Sequence, residues 1–169
     1  IAELWLTPHV MEDIPNTTEK LKMHFEELKA VYKGNIKLNL AAEYMLDTLF
    51  DARLDAGDLL PLGQQGTHLL VETSYYNPPM RLHETLRQIK SLGYHPLLAH
   101  PERYMYMDKD EYIRLHQEGV KFQLNLPSIC GGYGNTVKKR ALWLLKEGLY
   151  DAIGSDTHCE EGVEYLLGS

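Results

Sequence analysis

Cysteine is almost missing from this sequence. There are two, Cys130 and Cys159, and they form no C-x-x-C pair, which excludes a zinc ribbon, a thioredoxin-like motif and a disulfide framework. Long apolar runs are missing as well. No stretch approaches the roughly 20 residues of a spanning helix, and no basic segment leading into an apolar one opens the chain, so membrane insertion is not expected. Positive charge is in short supply: 17 Lys and Arg face 24 Asp and Glu, a net charge of -7. A broad nucleic-acid surface needs clustered cations to displace counterions, and this balance argues against one.

Several catalytic signatures are absent too. No G-x-G-x-x-G or G-x-x-x-x-G-K-[ST] opens a helix, so a nucleotide-binding open sheet is the weaker reading. No H-E-x-x-H is present, which removes the common metalloprotease motif. The sixth residue after Cys130 is Thr136 rather than Arg, so the Cys-x5-Arg phosphate loop is missing and with it a cysteinyl-phosphate mechanism.

What is present is a chain of 169 residues, 44% hydrophobic and 24% charged, enough for one domain over 1–169 with a sizeable core. Short apolar runs recur and alternate with helical periodicity. Ala2 to Leu6 reads as a strand stopped by Pro8. Asn16 as N-cap with Glu19 three positions on opens a helix marked by Leu21, Phe25, Leu28 and Tyr32 and ended by Gly34. Ile36 to Glu43 is a strand, 44–60 is acidic with no clear period, and His68 to Thr73 is a buried strand. Helices then follow Pro78-Pro79 and Asp108, strands span Tyr94 to Ala99 and Val120 to Asn125, and a helix carries Val137, Ala141, Leu144 and Leu145. Tyr150 to Gly154 is the last strand, and the closing Glu164 to Ser169 reads as the start of another helix.

Strands alternating with helices imply βα units around a parallel sheet, and a TIM-like barrel fits best because of where the polar residues fall. His9, Glu43, Glu72, His100, and the pair Asp156 and His158 each follow an apolar run, so each sits at a strand end. Singly they have plain explanations: His9 after Pro8 suits a surface turn, Glu43 a solvated loop, and Asp156-Thr157-His158 an Asx turn. Glu72 directly after Leu-Leu-Val is harder to dismiss, since a buried charge needs a partner. His100-Pro101-Glu102-Arg103-Tyr104 gathers an imidazole, a carboxylate and a guanidinium in one turn. His24, His68, His83, His95 and His116 are read as structural. Gly131-Gly132-Tyr133-Gly134 is either a phosphate nest or a flexible connection. His and carboxylate ligands without thiolates suit manganese, iron or zinc, and an arginine beside them offers a planar fork for phosphate oxygens. Metal-assisted phosphate ester hydrolysis is the chemistry this pattern points to.

Thr7-Pro8-His9, Ala42-Glu43, Leu70-Val71-Glu72, Ala99 to Tyr104, Gln123-Leu124-Asn125 and Gly154 to His158, in this order, resemble the polymerase and histidinol phosphatase (PHP) family. Within it the chain looks most like the metal-dependent tyrosine phosphatases of bacterial capsule and exopolysaccharide synthesis. The resemblance implies a distorted TIM-like (β/α)7 barrel and up to three divalent transition-metal ions, manganese first, then iron or zinc. It implies His9, Glu43, Glu72, His100, Asp156 and His158 as metal ligands, with Glu43 a bridge between two ions. Arg103, His100 and Asp156 are the implied catalytic set, Arg103 holding the phosphate.

The substrate implied is a phosphotyrosine protein, chiefly a bacterial polysaccharide-export tyrosine kinase, met in the cytoplasm by an enzyme able to form homo-oligomers. The alternatives are a PHP phosphoesterase acting on a small metabolite such as histidinol phosphate, or a PHP binding module that has lost catalysis. Family members open on a His-x-His at the end of the first strand, and no His-x-His occurs here, so the expectation is that residues precede Ile1. A second arginine that relatives use near phosphate is also missing after His158.

Overall fold

A computed structural model describes residues 1–158. The closing segment expected to start a helix, and Cys159, lie outside the described residues. The chain divides into two compact units, the first from Ile1 to Leu97 and the second from Leu98 onward.

The first unit opens with β1 (Glu3–Leu6) and β2 (His9–Val10), separated at Thr7-Pro8, then α1 (Thr18–Val31), β3 (Lys37–Leu40) and β4 (Glu43–Met45). It continues through α2 (Thr48–Ala56), β5 (His68–Glu72) and α3 (Leu82–Ser91) into β6 (His95–Ala99), which carries the chain into the second unit. The ladders of this unit are parallel, as the βα alternation requires. β1 pairs with β3 in a sheet of their own, and β2 pairs with β4, which pairs in turn with β5.

Three readings are revised here. The run from Ile36 to Glu43 is not one strand: it breaks after Leu40, and its halves belong to different sheets. Ala41 and Ala42, both fully buried, make the crossing, and their amides donate to Leu6 and Leu60 carbonyls at 2.9 and 3.0 Å. The acidic 44–60 stretch contains α2, capped by the Asp47 side chain accepting from the Phe50 amide at 3.0 Å and closed by Gly57 in the left-handed region (φ 67°). The N-cap of α1 is Thr17, whose hydroxyl accepts from the Lys20 amide at 3.2 Å, and Asn16 is used elsewhere.

Tyr44, Phe50, Leu69, Leu70, Val71, Leu86 and Ile89 form the buried interior of this unit. Leu82, Leu86 and Ile89 occupy the buried face of α3, at the spacing read from the sequence. Burial also pushes the Tyr44 phenol up to about 12, although its oxygen accepts from the Leu60 amide at 2.8 Å.

The second unit begins with the end of β6 and a 3-10 turn, Pro101–Arg103. Then come α4 (Lys109–Gln117), β7 (Lys121–Asn125), the short α5 (Leu126–Cys130), α6 (Asn135–Lys146) and β8 (Ala152–Gly154). β7 and β8 are parallel, with Asn125 opposite Gly154. Tyr112 anchors the interior: its ring meets Phe122 edge-on at 6.1 Å, and its hydroxyl donates to the Pro101 carbonyl at 2.8 Å, tying α4 to the His-Pro-Glu-Arg turn. Asp108 caps α4 as expected, accepting from the Glu111 amide at 2.9 Å.

The glycine cluster has a structural job. Gly131 ends α5 at φ 91° and Gly134 starts α6 at φ 88°. The amides of Gly131, Gly132 and Gly134 donate to the carbonyls of Ser128, Pro127 and Gly131. Amides engaged in this way form no nest for phosphate, so of the two readings offered the connection stands, and it is a hydrogen-bonded turn.

Candidate metal and phosphate sites

In the first unit, strand register assembles the site. His9 of β2 stands opposite Glu43 of β4, and Glu72 ends β5 opposite Met45. His9 Nδ1 lies 3.0 Å from Glu72 Oε1 and 3.8 Å from Glu43 Oε2. One ligand atom from each of the three lies within 4.8 Å of the others. Glu43 and Glu72 are buried, at 6% and 3% exposure. Two carboxylates so deeply placed repel one another and lose hydration, a cost that a cation between them offsets. Glu72 closes β5 as expected, whereas His9 and Glu43 open β2 and β4 rather than ending the strands before them, because the chain breaks at Thr7-Pro8 and Ala41-Ala42. Imidazole and carboxylate donors converging from these three strands fit a divalent transition metal.

A second layer holds this site. Asn16 donates from Nδ2 to the backbone carbonyl of His9 at 2.9 Å. Its own carbonyl accepts from Arg53 Nη2 at 2.5 Å, and Arg53 Nη1 is paired with Asp58 at 2.7 Å. Arg53, 8% exposed, thus fixes the segment that carries His9. Neither residue stood out in the sequence, where Asn16 looked like a helix cap. A cavity of about 360 Å³ borders the site, lined by His9, Met45, Glu72, Thr73, Tyr75 and Tyr76 among others.

In the second unit, the strand ends again carry the polar groups. His100 follows β6 in the left-handed region (φ 35°), buried, with its ring 5.7 Å from that of Tyr104. Asp156 follows β8 with φ 50°. A left-handed backbone is unfavourable for residues bearing a Cβ, and its occurrence at both of these positions marks them as functional candidates.

Arg103 and Asp156 are brought together: Arg103 Nη1 donates to Asp156 Oδ2 at 2.6 Å. The same oxygen accepts from Asn125 Nδ2 at 3.0 Å and from the Tyr133 hydroxyl at 3.5 Å. His158 is exposed, its Nδ1 2.9 Å from the Asp156 carbonyl oxygen and 3.6 Å from Asp156 Oδ1. Asp156 therefore orients the arginine through Oδ2, a role its reading as a metal ligand did not include.

Glu102, fully buried, supports this group from below. Its Oε1 accepts from the Asn125 amide at 3.1 Å and its Oε2 from the Tyr150 hydroxyl at 2.9 Å. Burial first, and the Glu102 charge second, push the Tyr150 phenol far up, so it stays a donor. Glu102 was legible as part of the His-Pro-Glu-Arg-Tyr motif, and Asn125 as a strand end, but the partner of each lies far along the chain.

The family model for capsular polysaccharide synthesis, CpsB/CapC, matches residues 1–164. The chain belongs to the CpsB/CapC family. CapC of Staphylococcus aureus is 24% identical over 99% of this chain and 68% of its own length. The tyrosine-protein phosphatase CpsB of Streptococcus pneumoniae is 28% identical over 83% of this chain and 61% of its own. The chain thus spans about two thirds of the length of these two CpsB/CapC relatives. A crystal structure from a study of YwqE from Bacillus subtilis and CpsB from S. pneumoniae, described there as metal-dependent tyrosine phosphatases, aligns with all of this chain and 75% of that one, with a TM-score of 0.79 at 21% identity. The mixed α/β architecture with parallel strands is common to both.

Proposed function

We propose that this CpsB/CapC member is a metal-dependent phosphatase that hydrolyses phosphotyrosine on proteins in capsule synthesis. The observation that carries the reading is the group of half-buried His9 with buried Glu43 and Glu72, three metal-type donors converging from neighbouring strands. Family membership supports it, since CpsB and YwqE are named tyrosine-protein phosphatases.

His9, Glu43 and Glu72 of the first unit would hold a divalent metal in this reading. His100, Asp156 and His158 of the second unit are proposed as metal ligands as well. Imidazole and carboxylate donors suit manganese, iron or zinc. The family resemblance puts manganese first and up to three ions in all. A metal held by these residues supplies Lewis-acid chemistry, lowering the pKa of water and offsetting phosphoryl charge.

The chain's own residues do the rest. Arg103 presents a planar guanidinium to the phosphate oxygens, and Asp156 with Asn125 fixes the angle at which it does so. Glu102 holds the Asn125 backbone, so the group is set before substrate arrives. The setting proposed is the distorted (β/α)7 barrel of the PHP type, formed as one domain. The partner proposed is a bacterial polysaccharide-export tyrosine kinase in the cytoplasm, with the enzyme as a homo-oligomer. Among the described residues, no helix is long and apolar enough to cross a membrane.

The test compares hydrolysis of a phosphotyrosine peptide with that of histidinol phosphate by the purified, manganese-loaded protein. Preference for the peptide supports the reading. Preference for histidinol phosphate overturns it in favour of a small-metabolite phosphoesterase, and no hydrolysis of either overturns it in favour of a binding module.

A further inference from the structure

Tyr133 has no part in the chemistry outlined above, yet it touches three members of the group around Arg103. Its ring lies beneath the Arg103 guanidinium, whose Cζ is 4.3 Å from the ring centroid. Its hydroxyl lies 3.5 Å from Asp156 Oδ2, the oxygen that receives Arg103, and it accepts from Asn125 Nδ2 at 3.4 Å. Tyr133 is 40% exposed, which is more than a core aromatic allows.

The turn that carries it is built to hold it there. Gly131 and Gly134 bracket it in the left-handed region, with the Gly134 amide donating to the Gly131 carbonyl at 3.0 Å. Gly132 sits so close to Pro127 that a Cβ there would meet the Pro127 carbonyl oxygen at 3.2 Å. Tyr133 is thus delivered by a tight turn that other residues would disturb.

A guanidinium has a flat fork of donors, and its usefulness to a phosphate depends on the plane in which that fork lies. The hydrogen bond to Asp156 sets the place of one nitrogen, whereas a ring face bears on the plane of the whole fork. A ring stacked at 4.3 Å favours the guanidinium lying flat upon it. We infer that Tyr133 is a positioning residue for phosphate recognition: it sets the plane of Arg103 by stacking, and its hydroxyl is secondary. The inference rests on the phosphatase reading for its substrate, but its test does not.

The experiment measures inorganic phosphate affinity of the metal-loaded protein by calorimetry, alongside phosphotyrosine-peptide kinetics, for Tyr133→Phe, Tyr133→Ala, Arg103→Ala and the double variant Arg103→Ala/Tyr133→Ala. Loss of a cation-π contact predicts phosphate binding about 3- to 10-fold weaker in Y133A. Y133F, which keeps the stack, stays within about twofold of the parent by the same reasoning. In the double variant Y133A adds nothing to R103A, because its effect passes through the arginine.

Melting temperature and metal content stay unchanged in Y133A. Parent-like phosphate affinity in Y133A overturns the inference, as does a loss in Y133F equal to that in Y133A, or an additive loss in the double variant. If the parent binds phosphate and Y133A weakens it, but the parent leaves phosphotyrosine peptide intact, the positioning role stands and the phosphotyrosine reading falls.

Discussion

Arg103 and Asp156, separated by 53 positions in sequence, are joined by a hydrogen-bonded ion pair of 2.6 Å. Both side chains are largely shielded, with 16% and 11% exposure, so the pair is better protected from water and salt than a surface bridge. Its value here is geometric, because it aims a phosphate-binding fork. Arg103→Lys keeps the charge and loses the fork, and kcat/KM on a phosphotyrosine peptide is expected to fall on the order of 100-fold. Metal content measured on the same sample stays at the parent level.

Glu102 predicts a stability effect that is separate from chemistry. Both its oxygens are engaged, one by the Asn125 amide and one by the Tyr150 hydroxyl. Tyr150→Phe leaves a buried carboxylate oxygen short of a donor and is expected to cost about 1.5–3 kcal/mol in urea denaturation. An unchanged midpoint would show that water replaces the hydroxyl.

Asn16 predicts an effect on metal affinity without being a ligand. Its side chain holds the His9 carbonyl, and removing a group that orients a ligand typically costs about 10- to 100-fold in affinity. Asn16→Ala is therefore expected to weaken manganese binding by about tenfold in a competition titration. Equal affinity in the variant and the parent would remove Asn16 from the site.

Asp151 predicts a pH dependence. Burial alone would raise its pKa, but hydrogen bonds from Lys121 and the Phe122 amide, together with the charges of Lys121 and His116, outweigh burial and hold it below its usual value. A carboxylate depressed in the folded state contributes stability that is present above its ordinary pKa of 3.8 and lost as pH falls through the lower folded value. Asp151→Asn is expected to be destabilised by about 1–2 kcal/mol at pH 7, the difference shrinking below pH 4. A constant difference across that range would assign the effect to packing.

The sequence carried the ligand positions well and the local junctions poorly: Glu72 ends β5 as expected, but His9 and Glu43 open β2 and β4. His9, Glu43 and Glu72 each follow an apolar run, and the parallel register places them together. Parallel pairing itself follows from the βα alternation, so convergence of these three positions on neighbouring strands was a fair expectation. The split at Ala41 and Ala42 was hidden because two alanines read equally well as strand or crossing. α2 was hidden because its buried residues, Phe50, Arg53 and Leu54, include an arginine that disguises the apolar face. The supports of the site, Asn16, Glu102, Asn125, Tyr133 and Tyr150, act through hydrogen bonds and ring contacts between distant positions. Such partners leave no periodic trace in a single sequence.

The central claim is that His9, Glu43 and Glu72 hold a catalytic metal. Glu72→Gln is nearly isosteric and removes one charge, so the fold survives and the donor set is weakened. The direct measurement is metal content by elemental analysis after manganese loading and desalting, on the parent and on Glu72→Gln, with phosphotyrosine-peptide turnover on the same samples. The account predicts bound manganese and turnover in the parent and the loss of both in the variant, with the circular dichroism spectrum unchanged. A variant that keeps parent levels of metal and turnover would contradict it.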